Sequence, residues 1–391
     1  MWAAYRHLIA RESALKRSTR AEVVVIGAGI TGALVAQRLC ESGVRPLILD
    51  RRRSALLGST AASTALLQFE LDTPLVHLAR KIGKRAAGRA WLCSHSAVNE
   101  LRTHARRLGI QARLESRPSL YLAGNLLNAS GLRREALARQ KLGLPSEFLD
   151  RRALQRHFDI HRPGAILSHG NAEADPVALA AGFLRHAIRA GARLHAPHEV
   201  TDLRVNGRGT TISTADGIEI QARHVVLCTG YELPKIVPAT KHEVRSTWAI
   251  ATAPQPHKLW PQRALIWEAS EPYLYVRATA DGRVLCGGAD EEFADDAHRD
   301  ALIPGKMATL QTKLGRLFPR LDTRVAFAWT GSFGASTSGT PSFGRIPGYP
   351  SCFAVLGYGG NGITFSMLAA SMIARAVRGR SHRDADLFAF D

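Results

Sequence analysis

Acidic residues, cysteine and long apolar runs are all scarce in this 391-residue chain. Asp and Glu number 33 against 52 Lys and Arg, a formal charge of +19 with histidine neutral. So basic a balance suits nucleic acid, an anionic membrane surface or acidic substrates. Yet the positive residues are mostly Arg and spread along the whole length, and only Arg51–Arg53 forms a run. No stretch interleaves Lys or Arg with aromatics as a groove for single strands would. Nucleic acid is therefore not an expected partner, and the charge reads as a solvated surface. The five cysteines, Cys40, Cys93, Cys228, Cys286 and Cys352, lie far apart without a CxxC pair. That set argues against a disulfide framework and fits a reducing, cytoplasmic compartment. No apolar run reaches the roughly 20 residues of a membrane-spanning helix, so any membrane contact would be peripheral. The first 20 residues lack the apolar core of a secretory signal and read as a surface arm or short helix. His157 and His161 have the spacing of helical metal ligands, but Pro163 and Gly164 follow at once, which predicts a surface pair and no metal.

What is present begins with AEVVVIGAGITGALVAQRLCESGVRPLILD, residues 21–50. Val23–Ile26 has the composition of a strand buried on both faces. Gly27, Gly29 and Gly32 follow as GxGxxG, then Ala33–Leu39 at helical spacing, and Leu47–Leu49 as a second strand ending at Asp50. A glycine motif set between strand and helix, with an acid shortly after the next strand, is the signature of a dinucleotide site. Gly27 allows the tight turn, Gly29 lets backbone approach a pyrophosphate, and Gly32 lets helix and strand pack closely. The helix start, with Ile30 and Thr31, offers N–H groups to phosphate. Asp50 is placed to accept a hydrogen bond from a ribose.

The segment GSTAASTALLQ, residues 58–68, is rich in small and hydroxyl residues that suit backbone lying against a cofactor. Residues 75–110 and 131–160 read as helical. Asp175-Pro176 opens a further helix with cap and first-turn signals together. Strand-rich sequence then runs to about residue 290, with a hairpin at ADG, residues 215–217. Near the C-terminus Phe353–Leu356 reads as a buried strand, GYGGNG as a turn, and the following apolar residues from Ile363 as a helix. The chain thus holds two strand–glycine-turn–helix units more than 300 residues apart.

Taken in order, VVVIGAGITG with Asp50, GSTAAST, DP with its helix and EVTDL, VVLCTG, and WTGSFGASTSGTP before LGYGGNGITFS resemble the FAD-dependent D-amino-acid oxidase, glycine oxidase and sarcosine oxidase superfamily. The resemblance covers nearly everything from Glu22 onward. It implies an α/β protein, with a Rossmann-like FAD-binding domain and an interleaved mixed-sheet substrate domain of α+β type. The expected division is an arm at 1–20, a discontinuous FAD domain at 21–85, 166–239 and 326–391, and a substrate domain at 86–165 and 240–325. It also implies FAD against Ser59, Thr60, Ser63 and Thr64. Val200 would lie near adenine, Thr229 and Gly230 would close the FAD domain, and Gly359, Gly360, Asn361, Gly362 and Ile363 would lie beside the flavin ring. A helix start aimed at that ring would stabilise the negative charge of the reduced flavin.

Departures from the family pattern shape the expected chemistry. Residues 331–338 contain no cysteine and residues 58–65 no histidine, so FAD is expected to be non-covalent. Phe333 and Gly360 stand where glycine-oxidase-like members carry carboxylate-binding arginines, leaving Arg277 as a candidate for that charge. Tyr273, Tyr275 and Tyr358 complete the pocket candidates, and no lysine stands where sarcosine-oxidase-like members activate oxygen. The expected activity is oxidation of a C–N bond of an amine or amino acid by hydride transfer to flavin, giving an imine that hydrolyses. Dioxygen or a quinone would take the electrons. The alternatives are a quinone-linked, membrane-associated dehydrogenase of the D-amino-acid type, an RNA-modifying flavoprotein, and a non-catalytic flavin-binding protein.

Overall fold

A computed structural model describes Trp2, residues 14–207 and residues 209–390. Most of the expected N-terminal arm, residues 3–13, lies outside them. Two sheets organise the rest. In the first, β1 (Thr19–Ile26) lies at the centre, parallel to β10 (Glu219–Leu227) on one side and β2 (Leu47–Leu49) on the other. β7 (Arg193–His195) extends the sheet beyond β2. β17 (Tyr349–Leu356) runs parallel to β10, and β16 (Ser342–Ile346) turns back antiparallel along it. The antiparallel pair β8 (Val200–Asn206) and β9 (Gly209–Thr214) joins the other stretch of β10. Val23 to Ile26 are buried, as a parallel strand covered on both faces requires.

The helices Ile30–Glu41, Pro176–Arg189 and Gly362–Val377 pack together on one face of this sheet. Asp175 starts the second of them, its Oδ1 accepting from the backbone N–H groups of Val177 and Ala178 at 2.9 Å each, with Pro176 in the first turn.

The second sheet follows the order β15 (Val325–Ser336), β11 (His242–Thr252), β14 (Val284–Glu291), β13 (Leu274–Ala278), β12 (Leu265–Glu268), β4 (Glu115–Leu122), β6 (Gly164–Glu173) and β3 (Leu66–Leu67). β5 (Ser146–Asp150) pairs with β6 outside this path. It is mixed, since β12 and β4 run parallel while their neighbours are antiparallel.

Three boundaries differ from the sequence reading. Residues 164–173 and 325–336 belong to the second sheet, because β15 is hydrogen-bonded along almost all of β11 and β6 pairs with β3, β4 and β5. The helix Lys84–Arg107, assigned to the substrate domain, instead shares a core with the Gly362–Val377 helix through Ala90, Trp91 and Ala97. Residues 75–110 form two helices, Leu75–Ile82 and Lys84–Arg107, broken at Gly83 with φ +86°. Likewise β5 interrupts 131–160: the first helix ends at Lys141, followed by Gly143 with φ +76°, and Asp150 caps the Arg151–Phe158 helix.

His157 and His161 are both exposed, and the described residues contain no metal-binding group of His, Cys, Asp and Glu. Among them no helix is long and apolar enough to cross a membrane. All five cysteines are free.

Candidate active site

A continuous cleft of about 1200 Å³ opens where the carboxyl ends of β1 and β10 face the second sheet. One end is built from backbone. Gly27 has φ +102°, and a Cβ there would sit 2.3 Å from the carbonyl oxygen of Cys228. A Cβ on Gly32 would sit 1.9 Å from the carbonyl oxygen of Gly27. Strand and helix thus meet at a spacing that only hydrogen permits. Asp50 ties the loop together: its Oδ2 accepts from Ala28 N at 2.8 Å and its Oδ1 from Arg52 N at 2.9 Å. Thr60 Oγ1 accepts from Ile30 N at 2.9 Å, holding residues 58–62 across the helix start. Gly29 precedes that helix without a side-chain cap, and no acid stands in its first turn. With the Ile30 N–H taken by Thr60, the rest of the first turn keeps the partial positive charge that an anion answers. Arg51 and Arg52 both reach Glu232, at 2.7 and 2.9 Å, beside the mouth.

The other end is built from side chains on scattered strands. Tyr273 just before β13, Tyr275 of β13, Thr247 of β11, Trp267 of β12 and Phe333 of β15 form one wall. The residues 359–363, which lead into the Gly362–Val377 helix, form the facing edge. That helix start also lacks a side-chain cap and an acid in its first turn. Tyr358 shares a hydrogen bond of 3.0 Å with Thr31, which in turn meets Ser366 at 2.8 Å. This links the first glycine turn to the last helix. Burial holds the hydroxyls of Tyr273, Tyr275 and Tyr358 protonated and pushes Tyr231 up to about 12. All four are neutral hydrogen-bonding groups at neutral pH.

Of the residues singled out in the sequence, Gly27, Gly29, Ile30, Thr31, Asp50, Ser59, Thr60, Ser63, Thr64, Val200, Thr229, Gly230 and residues 359–363 all line this cleft. So do Tyr273, Tyr275, Phe333 and Tyr358. Gly32 stands behind the lining. Arg277 also falls outside it, which removes it as a carboxylate partner for substrate. Its guanidinium is buried and committed: Nε donates to Thr64 O at 2.5 Å, Nη2 to Ala174 O at 2.9 Å, and Nη1 to Glu173 Oε2 at 3.2 Å. Trp2 lies against the same group, with Arg277 Cζ 5.5 Å from its ring centroid, and donates from Nε1 to Ser63 O at 2.7 Å. Arg277 joins the second sheet to the loop that lines the cleft.

The sequence reading missed three acids and an amide. Gln68, Glu70 and Asp72 alternate with Phe69 and Leu71, and all three line the cleft while the two apolar residues enter the core. That alternation in QFELD was a readable two-residue period following a short strand. Asp72 is exposed to the cleft, and its Oδ2 accepts from Gly360 N at 2.7 Å. Burial raises its pKa, opposed by that N–H and by Arg245. Asp290, behind Tyr273 and Thr247, is pushed up to about 6 by burial, with Asp72 adding repulsion.

These residues fit FAD. Two helix starts whose N-cap residues provide no side-chain cap, the unpartnered hydroxyl of Thr229 and the unpartnered amide nitrogen of Gln68 supply donors along one cleft, as a pyrophosphate and a polar ring edge require.

Comparison with known proteins gives the same answer. The family model described as FAD dependent oxidoreductase matches residues 22–376. Gamma-glutamylputrescine oxidoreductase of Escherichia coli is 26% identical, covering 94% of this chain and 86% of its own. Glycine oxidase of Geobacillus kaustophilus is 25% identical over 92% of this chain and 93% of its own. The crystal structure of L-proline dehydrogenase from P. horikoshii superposes with a TM-score of 0.78 at 16% identity, covering 95% of this chain and 97% of that one. A Rossmann-like FAD domain joined to a mixed sheet is thus the architecture, FAD is the cofactor, and the chain belongs to the FAD-dependent oxidoreductase family of amine and amino-acid oxidising enzymes.

Proposed function

We propose that this enzyme oxidises the C–N bond of a primary or secondary amine. The observation that carries this reading is the single cleft, which runs from the Asp50 loop to a substrate wall of neutral tyrosines beside the start of the Gly362–Val377 helix. The Asp50 loop, Thr60 and residues 359–363 would hold FAD, which when bound would supply two-electron oxidation of the amine to an imine that water hydrolyses, with dioxygen or a quinone as the final acceptor. The rest falls to the chain's own residues. The uncapped end of the Gly362–Val377 helix stabilises negative charge without reorganising. Tyr273 and Tyr275, held protonated, orient polar groups of the substrate and take no proton from it. The Asp50 loop and Thr60 fix the first glycine turn, and with it the position of the cofactor's far end.

Attachment of FAD is non-covalent in this reading. Cys228 is a cysteine on the cleft wall, and burial holds its thiol protonated, well above the usual range. Acid precipitation of the holoenzyme is expected to release all the yellow colour. The central test is anaerobic addition of primary amines, N-methyl amino acids and D-amino acids while the visible flavin band is followed. Bleaching by an amine is the expected result; a flavin that dithionite reduces and no amine does would overturn the reading. Reoxidation rates in air and with a soluble quinone then assign the acceptor.

A further inference from the structure

Acids gather at the flavin end. Asp72 and Glu70 line the cleft, and Asp290 stands behind Tyr273 and Thr247. Glu70 is 1% exposed; its Oε1 is held by Ser119 and Asn171 and faces the buried Arg139 Nη1 at 3.9 Å, while its Oε2 has no hydrogen-bond partner. Oδ1 of Asp290 is also without one. A buried carboxylate oxygen left without a donor costs free energy that a ligand's N–H groups would recover.

Positive charge near these acids is already engaged. Arg299 lines the cleft but pairs with Asp296 at 2.8 Å and donates to Ser332 at 2.6 Å. Arg245, which faces Asp72 and Asp290, is shared among Glu292 at 2.9 Å, Glu271 at 3.1 Å and Glu243 at 3.5 Å. Arg277 is committed to Glu173. The remaining described cations of the lining, Arg51, Arg52 and Lys235, stand on the segment after Asp50 and in the 230–236 loop. Arg139, paired with Glu135 and Glu70, stands behind the lining, so a substrate carboxylate brought to this wall would meet acids and no free guanidinium on the cleft surface. An alkylammonium would meet a carboxylate, a tyrosine hydroxyl and an unpaired carboxylate oxygen.

We infer that the flavin end of the cleft selects an aliphatic diamine or polyamine: one nitrogen is oxidised while a second, charged nitrogen is held by Asp72 with Glu70 and Tyr273. The inference rests on the amine-oxidase reading and adds its substrate class. Asp290 strengthens the field from behind the wall, since repulsion between it and Asp72 is relieved by a bound cation.

The test uses the purified holoenzyme and four probes of similar length: 1,4-diaminobutane, butylamine, 4-aminobutanoate and 2-aminopentanoate. Binding is read anaerobically from the perturbation of the flavin spectrum and independently from the thermal shift; bleaching is recorded alongside. The expected result is a Kd for the diamine at least tenfold below that for butylamine, with the two carboxylates weaker still. Asp72→Asn, which keeps an acceptor for Gly360 N, is expected to shrink the diamine-to-butylamine ratio by tenfold or more. Equal affinity for diamine and butylamine, or preference for either carboxylate, overturns the inference. If the variant loses its flavin, the four-probe ranking of the wild-type enzyme decides alone. Binding of the diamine without bleaching would support the cation site and count against the oxidase reading, so the two failures remain distinguishable.

Discussion

The two ends of the cleft are made in different ways. Around Asp50 the contacts come from backbone: glycines, a helix start, and a carboxylate whose hydrogen bonds go to two main-chain N–H groups. Around Tyr273 they come from side chains carried by β11, β12, β13 and the 68–72 segment. A dinucleotide is the same molecule in every enzyme that uses it, so a backbone cradle with little choice of residue suffices. A substrate differs from enzyme to enzyme, and side chains can change without disturbing the turn beside them. The difference teaches where tolerance lies: the first end breaks under a methyl group, whereas the second can be re-specified by single polar substitutions.

The largest expected effect tests that contrast directly. Gly27→Ala places a Cβ 2.3 Å from a backbone oxygen at φ +102°, a strain of about 3 kcal/mol or more. The variant should purify without flavin, read as loss of the 450 nm band relative to protein; a fully loaded enzyme would break the comparison. Next is the joint between the two ends. Arg277→Gln leaves Glu173 with one partner fewer in a buried network and should cost about 3–5 kcal/mol in denaturant unfolding, with KM unchanged in the folded fraction. A raised KM with unchanged stability would return Arg277 to the substrate. Asp50→Ala removes two hydrogen bonds to a charged acceptor, a loss of about 2–3 kcal/mol. Fluorescence titration of apoprotein should show FAD held on the order of 100-fold more weakly.

The smallest effect concerns Asp290 and pH. Its folded pKa of about 6 lies above the unfolded value, so the wild type loses stability as pH rises from about 4 through 6. Asp290→Asn lacks that loss. Its melting temperature should exceed that of the wild type above pH 6, by an amount worth about 1–2 kcal/mol, and the gap should close toward pH 4. A constant gap from pH 4.5 to 8 would assign the effect to packing.

The same contrast explains what the sequence could tell. Gly27, Gly29, Gly32 and Asp50 were legible because they are close in the chain and their spacing is set by one local geometry. The second turn at 359–363 was legible for the same reason. The tyrosine wall was visible only as an alternation on one strand, and its partners were not visible: Thr247 and Asp290 come from strands that neighbour β13 through β14 or belong to it in register only after folding. Arg277 shows the reverse error. Arg277 shares the strand face of Tyr275 and so looks like a ligand group, yet farther along that face Glu173 and Ala174 O engage it, and the tertiary partners decide its role. The domain limits failed where β15 and β6 cross into the second sheet, since strand propensity does not say which sheet a strand will join.

The order of strands in the first sheet also has a consequence in time. Val24 of β1 pairs with Val225 of β10, and Val226 with Phe353 of β17. During synthesis at roughly 5–20 residues per second, β1 would wait about 10–40 s for its central partner and a further interval of similar scale for β17. Until then an apolar strand and the glycine turn beside it have no closed cleft around them. Cofactor capture is therefore a late event in the life of each new chain, and the cell's supply of FAD acts on a nearly finished protein rather than on its first domain.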